Sequence, residues 1–156
     1  MRGTAFLCLA AVALVAACSR REPVAEAPAA KTEPECRTVV VFSDHTVRKP
    51  KESLPEAWRR FSGVWGNAGW DGYWCHDLYV LAIEEDGTVQ LIDTHGPGGR
   101  HDGSAFRRVG KITDDNRLTF VADGIRREYW IENDIMHGVR YLSGTEKSVI
   151  AMHRKS

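Results

Sequence analysis

The chain has 156 residues, 21 of them basic and 21 acidic, so its formal net charge is zero. That balance gives no electrostatic case for binding nucleic acid or a strongly anionic partner. The length suits a single domain, and no apolar run reaches the roughly 20 residues that a bilayer-spanning helix needs.

Arg2 precedes an apolar run of about 13 residues, 5–17, that ends in small side chains. This order of charge, apolar stretch and small residues is that of an export signal. Val15-Ala16-Ala17-Cys18 resembles the lipobox of bacterial lipoproteins. The resemblance implies that the signal, 1–17, is cut just before Cys18 and that the Cys18 thiol is diacylated. The new amine can then be acylated as well. Two or three acyl chains anchor stably where one would be marginal. Ser19 stands where Asp would mark retention in the inner membrane. The same resemblance therefore implies the periplasmic face of the outer membrane.

Of four cysteines, Cys8 leaves with the signal and Cys18 carries lipid. Cys36 and Cys75 remain, an even pair in a compartment that permits disulfides. A bond between them would close a loop of about 40 residues, a constraint of about 4 kcal/mol in the chain-entropy picture. The alternative is two free thiols, one buried as a small hydrophobe.

Residues 18–35 hold three prolines, several charges and one branched apolar side chain. Such a segment cannot bury enough surface to offset its ordering entropy and is expected to be a disordered tether. Residues 36–54 are expected to cover the body, with one short strand at 36–42. A short helix is expected at 55–61, with Ser53 as N-cap and Pro55 in the first turn.

From there the pattern is all-β. Short β-rich runs occupy 62–66, 73–84, 88–94, 105–113, 117–122, 125–132, 135–142 and 147–154. Asp86-Gly87 and Asp123-Gly124 between them are type I′ hairpin signals. Asp115-Asn116, Asn133-Asp134 and Ser143-Gly144 also tolerate positive φ. Connections this short make sequential runs antiparallel neighbours. Eight of them form an up-and-down meander, and closure into a barrel over 55–156 removes both edges. Both faces of 73–84 are largely apolar, so a second layer should cover that strand. The segment tied in through Cys36 is the candidate.

Gly63-Val64-Trp65, after a short helix, resembles the Gly-x-Trp element of lipocalins and related calycin barrels. That implies an eight-stranded calycin-like barrel with Trp65 at its base beneath a late arginine, Arg154 or Arg140. The body is also similar to a group of proteobacterial envelope lipoproteins. It shares Phe61-Ser62-Gly63-x-Trp65, Cys75-His76-x-Leu78-x-Val80, Asp86-Gly87-x-Val89 and a closing strand like Ser148-x-Ile150-x-Met152-x-Arg154. This second resemblance implies fold and location only.

Trp58, Trp65, Trp70, Tyr73 and Trp74 crowd one stretch. Either they plug a small barrel or they form a platform for a glycan or acyl chain. Trp70, in the turn-like 67–72, is the best exposed candidate. In 125–132, Ile125, Tyr129 and Ile131 share a face with Arg127. An inward Arg127 needs an anion, because an unpaired buried charge is very costly. Arg127-x-Tyr129, with Arg140 on the next run, resembles the carboxylate-gripping Arg-x-Tyr of fatty-acid-binding barrels. An internal acid such as Asp77 or Glu128 would serve equally. The stretch 93–102, with two His and two Asp among glycines, reads as a solvated loop, since no established metal-ligand spacing is matched. His76 beside Cys75 lacks a third orienting group for nucleophilic chemistry.

The reading is a non-enzymatic, membrane-anchored periplasmic binding module without metal or cofactor. Its ligand would be small and amphipathic or anionic, with Trp65, Arg127, Tyr129 and Arg140 lining the site. The alternative is an interaction protein, such as an inhibitor of a periplasmic enzyme or an envelope-assembly partner. A packed interior would favour that alternative, since ligand pockets usually run to roughly 300 Å³ or more.

Overall fold

A computed structural model describes residues 36, 38, 42, 45–98 and 102–155. The expected signal, lipidation site at Cys18 and tether all lie outside the described residues. One helical turn, α1 (Glu56–Arg59), precedes eight strands. These are β1 (Gly63–Trp70), β2 (Trp74–Ile83), β3 (Thr88–His95), β4 (Ser104–Ile112), β5 (Leu118–Ala122), β6 (Ile125–Glu132), β7 (Ile135–Ser143) and β8 (Glu146–Lys155). Each pairs with the next, and β8 returns antiparallel to β1 through Val64↔Lys155, Trp65↔Arg154 and Gly66↔His153. The protein is an all-β, closed, eight-stranded up-and-down barrel, as the hairpin punctuation predicts.

The turns show why. Asp123 and Gly124 both take positive φ, as do Asn133 and Asp134, which gives the twist of a type I′ hairpin. Asp86-Gly87 departs from that expectation. Only Gly87 has positive φ, because the Asp86 carboxylate bends back to accept from the Thr88 backbone N–H and hydroxyl. The helix also starts differently. Pro55 holds the N-cap position and makes no side-chain cap bond, so Ser53 is not the cap.

Side chains fill the base of the barrel. Trp65 is buried, and its Nε1 donates to the Phe61 carbonyl at 2.8 Å. The Arg154 guanidinium lies 4.2 Å above the Trp65 ring and donates to the Ser62 and Arg60 carbonyls. The lipocalin resemblance implies this contact, and of the two arginines it is Arg154 that makes it. β8 alternates as expected, with Ser148, Ile150 and Met152 buried between exposed neighbours.

The expected strand at 36–42 lies largely outside the described residues. Cys36, Thr38 and Phe42 are its described residues, and none is in a strand. The segment nevertheless contacts the outer face of β2. A disulfide joins Cys36 to Cys75 with 5.1 Å between Cα atoms. Thr38 donates to the Asp77 carboxylate. The Arg48 N–H donates to the Leu81 carbonyl at 2.8 Å, and His45 meets the Tyr79 ring edge-on. Consecutive residues of β2 are buried in consequence.

Candidate functional site

The end of the barrel away from α1 has a polar interior. Period-2 alternation builds it from the same strands that form the apolar core. On β3 the inward series Val89, Leu91 continues to Asp93 and His95. On β2 the series Val80, Leu78 continues to His76. Arg127 and Tyr129 enter from β6, Arg140 from β7, and Phe106 and Arg108 from β4. Trp70, Tyr129, His76 and Asp93 are fully buried, and Arg127 is nearly so.

Arg127 Nη1 donates to Asp93 Oδ2. The interior position expected for Arg127 is therefore observed, but its partner is neither Asp77 nor Glu128. Asp77 points to the outside of the barrel, where Lys155 Nζ reaches it at 2.8 Å. Glu128 also faces outward and accepts from Arg126 at 2.8 Å. Arg108 Nε stands 3.7 Å from the same Asp93 oxygen. Arg140 is the direct cross-strand neighbour of Arg127 and lies 4.9 Å over the Trp70 ring. Two like charges placed opposite one another destabilise a sheet unless an anion lies between them.

His76 Nδ1 donates to the Thr94 carbonyl at 2.8 Å, which leaves Nε2 to accept from the Tyr129 hydroxyl at 3.3 Å. Tyr129 seats against Gly138, where a Cβ would come within 2.7 Å of its ring. Burial pushes the His76 pKa down to about 4, against the pull of Asp93. Burial alone would raise Asp93, but His95, His76 and Arg127 outweigh it and hold its carboxyl down at about 2. Burial raises the Tyr129 hydroxyl well above its usual range. The resting interior is thus a neutral His76, a neutral Tyr129 and an ionised Asp93.

A neutral buried histidine makes stability depend on pH. Between about 6.5 and about 4 the unfolded chain binds a proton at His76 that the fold does not, so stability falls as pH falls through that window. The full loss is about 3 kcal/mol, at 1.36 kcal/mol per unit. Asp93 extends the loss below its ordinary pKa, towards pH 2. Urea midpoints of wild type and His76→Gln, compared from pH 7 to pH 4, should converge as the acid limb is reached. Parallel curves would mean that the folded histidine takes up its proton freely.

The structure brings Arg127, Tyr129 and Arg140 together but leaves Trp65 out, at the base beside Arg154. Trp70 is not the exposed platform that its turn-like surroundings suggest. β1 runs on through a bulge at Asn67, which has a φ of 57°, and this turns the indole inward. The stretch 93–102 is likewise not all solvated loop, because Asp93 and Thr94 are buried in β3 and His95 is partly buried. Among the described residues the most exposed aromatic side chains are Tyr73 and Trp74 at the β1–β2 hairpin and Phe106 on β4.

His76, Asp93 and His95 can bring three ligand atoms within 4.8 Å of one another. Two guanidinium groups crowd that carboxylate, so a divalent ion would enter against like charge. The arrangement is better matched to an anion. Trp70 Nε1, Arg127 Nε, Arg140 Nε and two nitrogens of Arg108 are buried donors without a hydrogen-bond partner among the described residues. One buried carboxylate faces these three arginines. The nearby Asp123 is exposed and stands 3.5 Å from Arg108. Asp71 is exposed too, and its oxygens are taken by Ser148 and Val149. A depression of about 400 Å³ lies on the outside of the β1–β8 seam, lined by Asn67, Ala68, His137 and Ala151 among others. It is separate from this cluster. Comparison with family models, curated proteins and solved structures finds no match.

Proposed function

We propose that this calycin-like barrel is a non-catalytic binding module, anchored through lipid on Cys18 to the periplasmic face of the outer membrane. Its ligand is a small amphipathic or anionic molecule held at the polar mouth. The observation that carries the reading is the set of buried donors without a hydrogen bond on Trp70, Arg127, Arg140 and Arg108, the last held only in looser ion-pair range of Asp93 and Asp123. Buried polar groups are rarely left unmatched unless something binds them. Arg140 and Arg108 are the partly accessible members, with Phe106 and Trp74 at the rim to meet an apolar tail. Arg127 and Tyr129 form the floor.

One observation favours a second reading. Side chains fill the barrel down from Trp70 and Tyr129, and Arg127 already holds an internal acid. A packed interior suits an interaction protein, an inhibitor or assembly partner, that uses the exposed Tyr73, Trp74 and the turn after His95. Native mass spectrometry of protein purified from its own envelope separates the two. A retained small anion, displaced at least tenfold more easily from Arg140→Met, supports the binding module. A retained protein partner and unchanged behaviour of Arg140→Met support the second reading.

The anchor has its own check. Cys18→Ala should abolish palmitate labelling and release the protein from membranes, and labelling that persisted would remove the lipidation reading.

A further inference from the structure

We infer that the ligand carries a hydrogen-bond donor beside its anionic group, as a 2-hydroxy or 2-amino carboxylate does and a bare carboxylate does not. The inference rests on the anion-binding reading above and adds the ligand's second functional group. It comes from the two oxygens of Asp93, which is fully buried. Oδ2 is engaged by Arg127. Oδ1 has no hydrogen-bond partner among the described residues. An unmatched carboxylate oxygen away from water is costly, so the surroundings should offer it a donor.

Neither imidazole supplies one. His76 Nδ1 is 3.4 Å from Oδ1, but its hydrogen goes to the Thr94 carbonyl at 2.8 Å. His95 Nε2 is 3.6 Å away, close enough to lower the Asp93 carboxyl but too long for a well-formed hydrogen bond. The other unmatched atoms of the cluster are all donors: Trp70 Nε1, Arg127 Nε, Arg140 Nε and the Arg108 nitrogens. The cluster therefore asks for one acceptor group and one adjacent donor. A bare carboxylate would satisfy the arginines, leave Oδ1 unmatched and set its own charge against Asp93. A hydroxyl or ammonium next to the carboxylate would bond Oδ1 and remove that conflict. A metal ion would also satisfy Oδ1, but Arg127 and Arg108 stand against the same carboxylate. Asp93 is wholly buried and His95, a quarter exposed, stands against its Oδ1, so a bound molecule would reach that oxygen by moving the His95 side chain aside.

Hexanoate and 2-hydroxyhexanoate form the discriminating pair. Each would be titrated into the full-length protein in detergent, with the indole N–H resonance of Trp70 as the reporter. 2-Hydroxyhexanoate should bind at least tenfold more tightly than hexanoate, and Asp93→Asn should erase the difference. Equal affinities of the two acids for wild type would overturn the inference and leave anion binding standing, since His95 or an ordered water would then already serve Oδ1. If neither acid bound, both readings would fall. Should Asp93→Asn fail to fold, the wild-type ratio still decides.

Discussion

Arg127→Met should lower the folding free energy by about 3–5 kcal/mol, the usual cost of removing one partner from a buried ion pair. Arg127 is only 4 % exposed and Asp93 is wholly buried. With the guanidinium gone, Asp93 keeps its charge with Arg108 at 3.7 Å and no hydrogen bond to Oδ2 from Arg127. Most of the loss is therefore the buried carboxylate left without its hydrogen-bonded cation, not the missing pair, and that distinction can be measured. Adding Asp93→Leu to Arg127→Met should restore part of the stability, because replacing both members of a buried pair with apolar groups is often close to neutral. Arg126→Met, one residue away on the exposed face, should change little, since its bond to Glu128 is a surface one. Urea denaturation followed by circular dichroism gives all four values. A wild-type midpoint for Arg127→Met would mean that its charge is solvated and that the polar floor described here does not form.

The turns made the barrel legible. Asp123-Gly124 and Asn133-Asp134 are short, chemically specific and local, so their geometry survives whatever packs around them. The inward position of Arg127 could be read for the same kind of reason, since alternation depends on the strand alone. Its partner could not. Asp93 lies 34 residues away along the chain, and only closure of β3, β4, β5 and β6 around one axis brings the two together. By sequence Asp77 and Glu128 are equally able partners, and both face the outside of the barrel.

The glycines that follow Asp93 and His95 give 93–102 the look of a solvated loop, although the β-rich run 88–94 already holds Asp93 and stops one residue short of the end of β3. The signal was nevertheless present. Val89, Leu91, Asp93 and His95 keep one period-2 series, and a polar continuation of an apolar face is what a barrel mouth looks like. The surroundings of Trp70 mislead for a related reason. Asn67, Gly69 and Gly72 give 67–72 the look of a turn, yet Asn67 serves a bulge within β1 that continues to Trp70. A Cβ on Gly66 would collide with the Asp77 carboxylate, so that glycine answers to a long-range neighbour that no local pattern discloses. Packing closeness of this kind belongs to the tertiary fold.

Breaking the Cys36–Cys75 bond should cost about 4 kcal/mol, comparable to the Arg127 change but for a different reason. The bond spans 39 residues, and in the chain-entropy account a cross-link over such a loop stabilises chiefly by restricting the unfolded chain. A folded-state contribution adds to this. Cys36 and Thr38 hold their segment beside β2 at Cys75 and Asp77, and Arg48 fixes it again at Leu81. Without the disulfide, the contacts described around Arg48 should persist while those near Cys75 loosen. Cys36→Ser should therefore lower the urea midpoint and speed amide exchange around Cys75 and Asp77, leaving Leu81 and Ile83 protected. Reductant should do the same to wild type and nothing further to the variant. If Cys36→Ser matched oxidised wild type in both midpoint and exchange, the cysteines would be structurally idle thiols. Their closeness would then be a consequence of the barrel and not one of its supports.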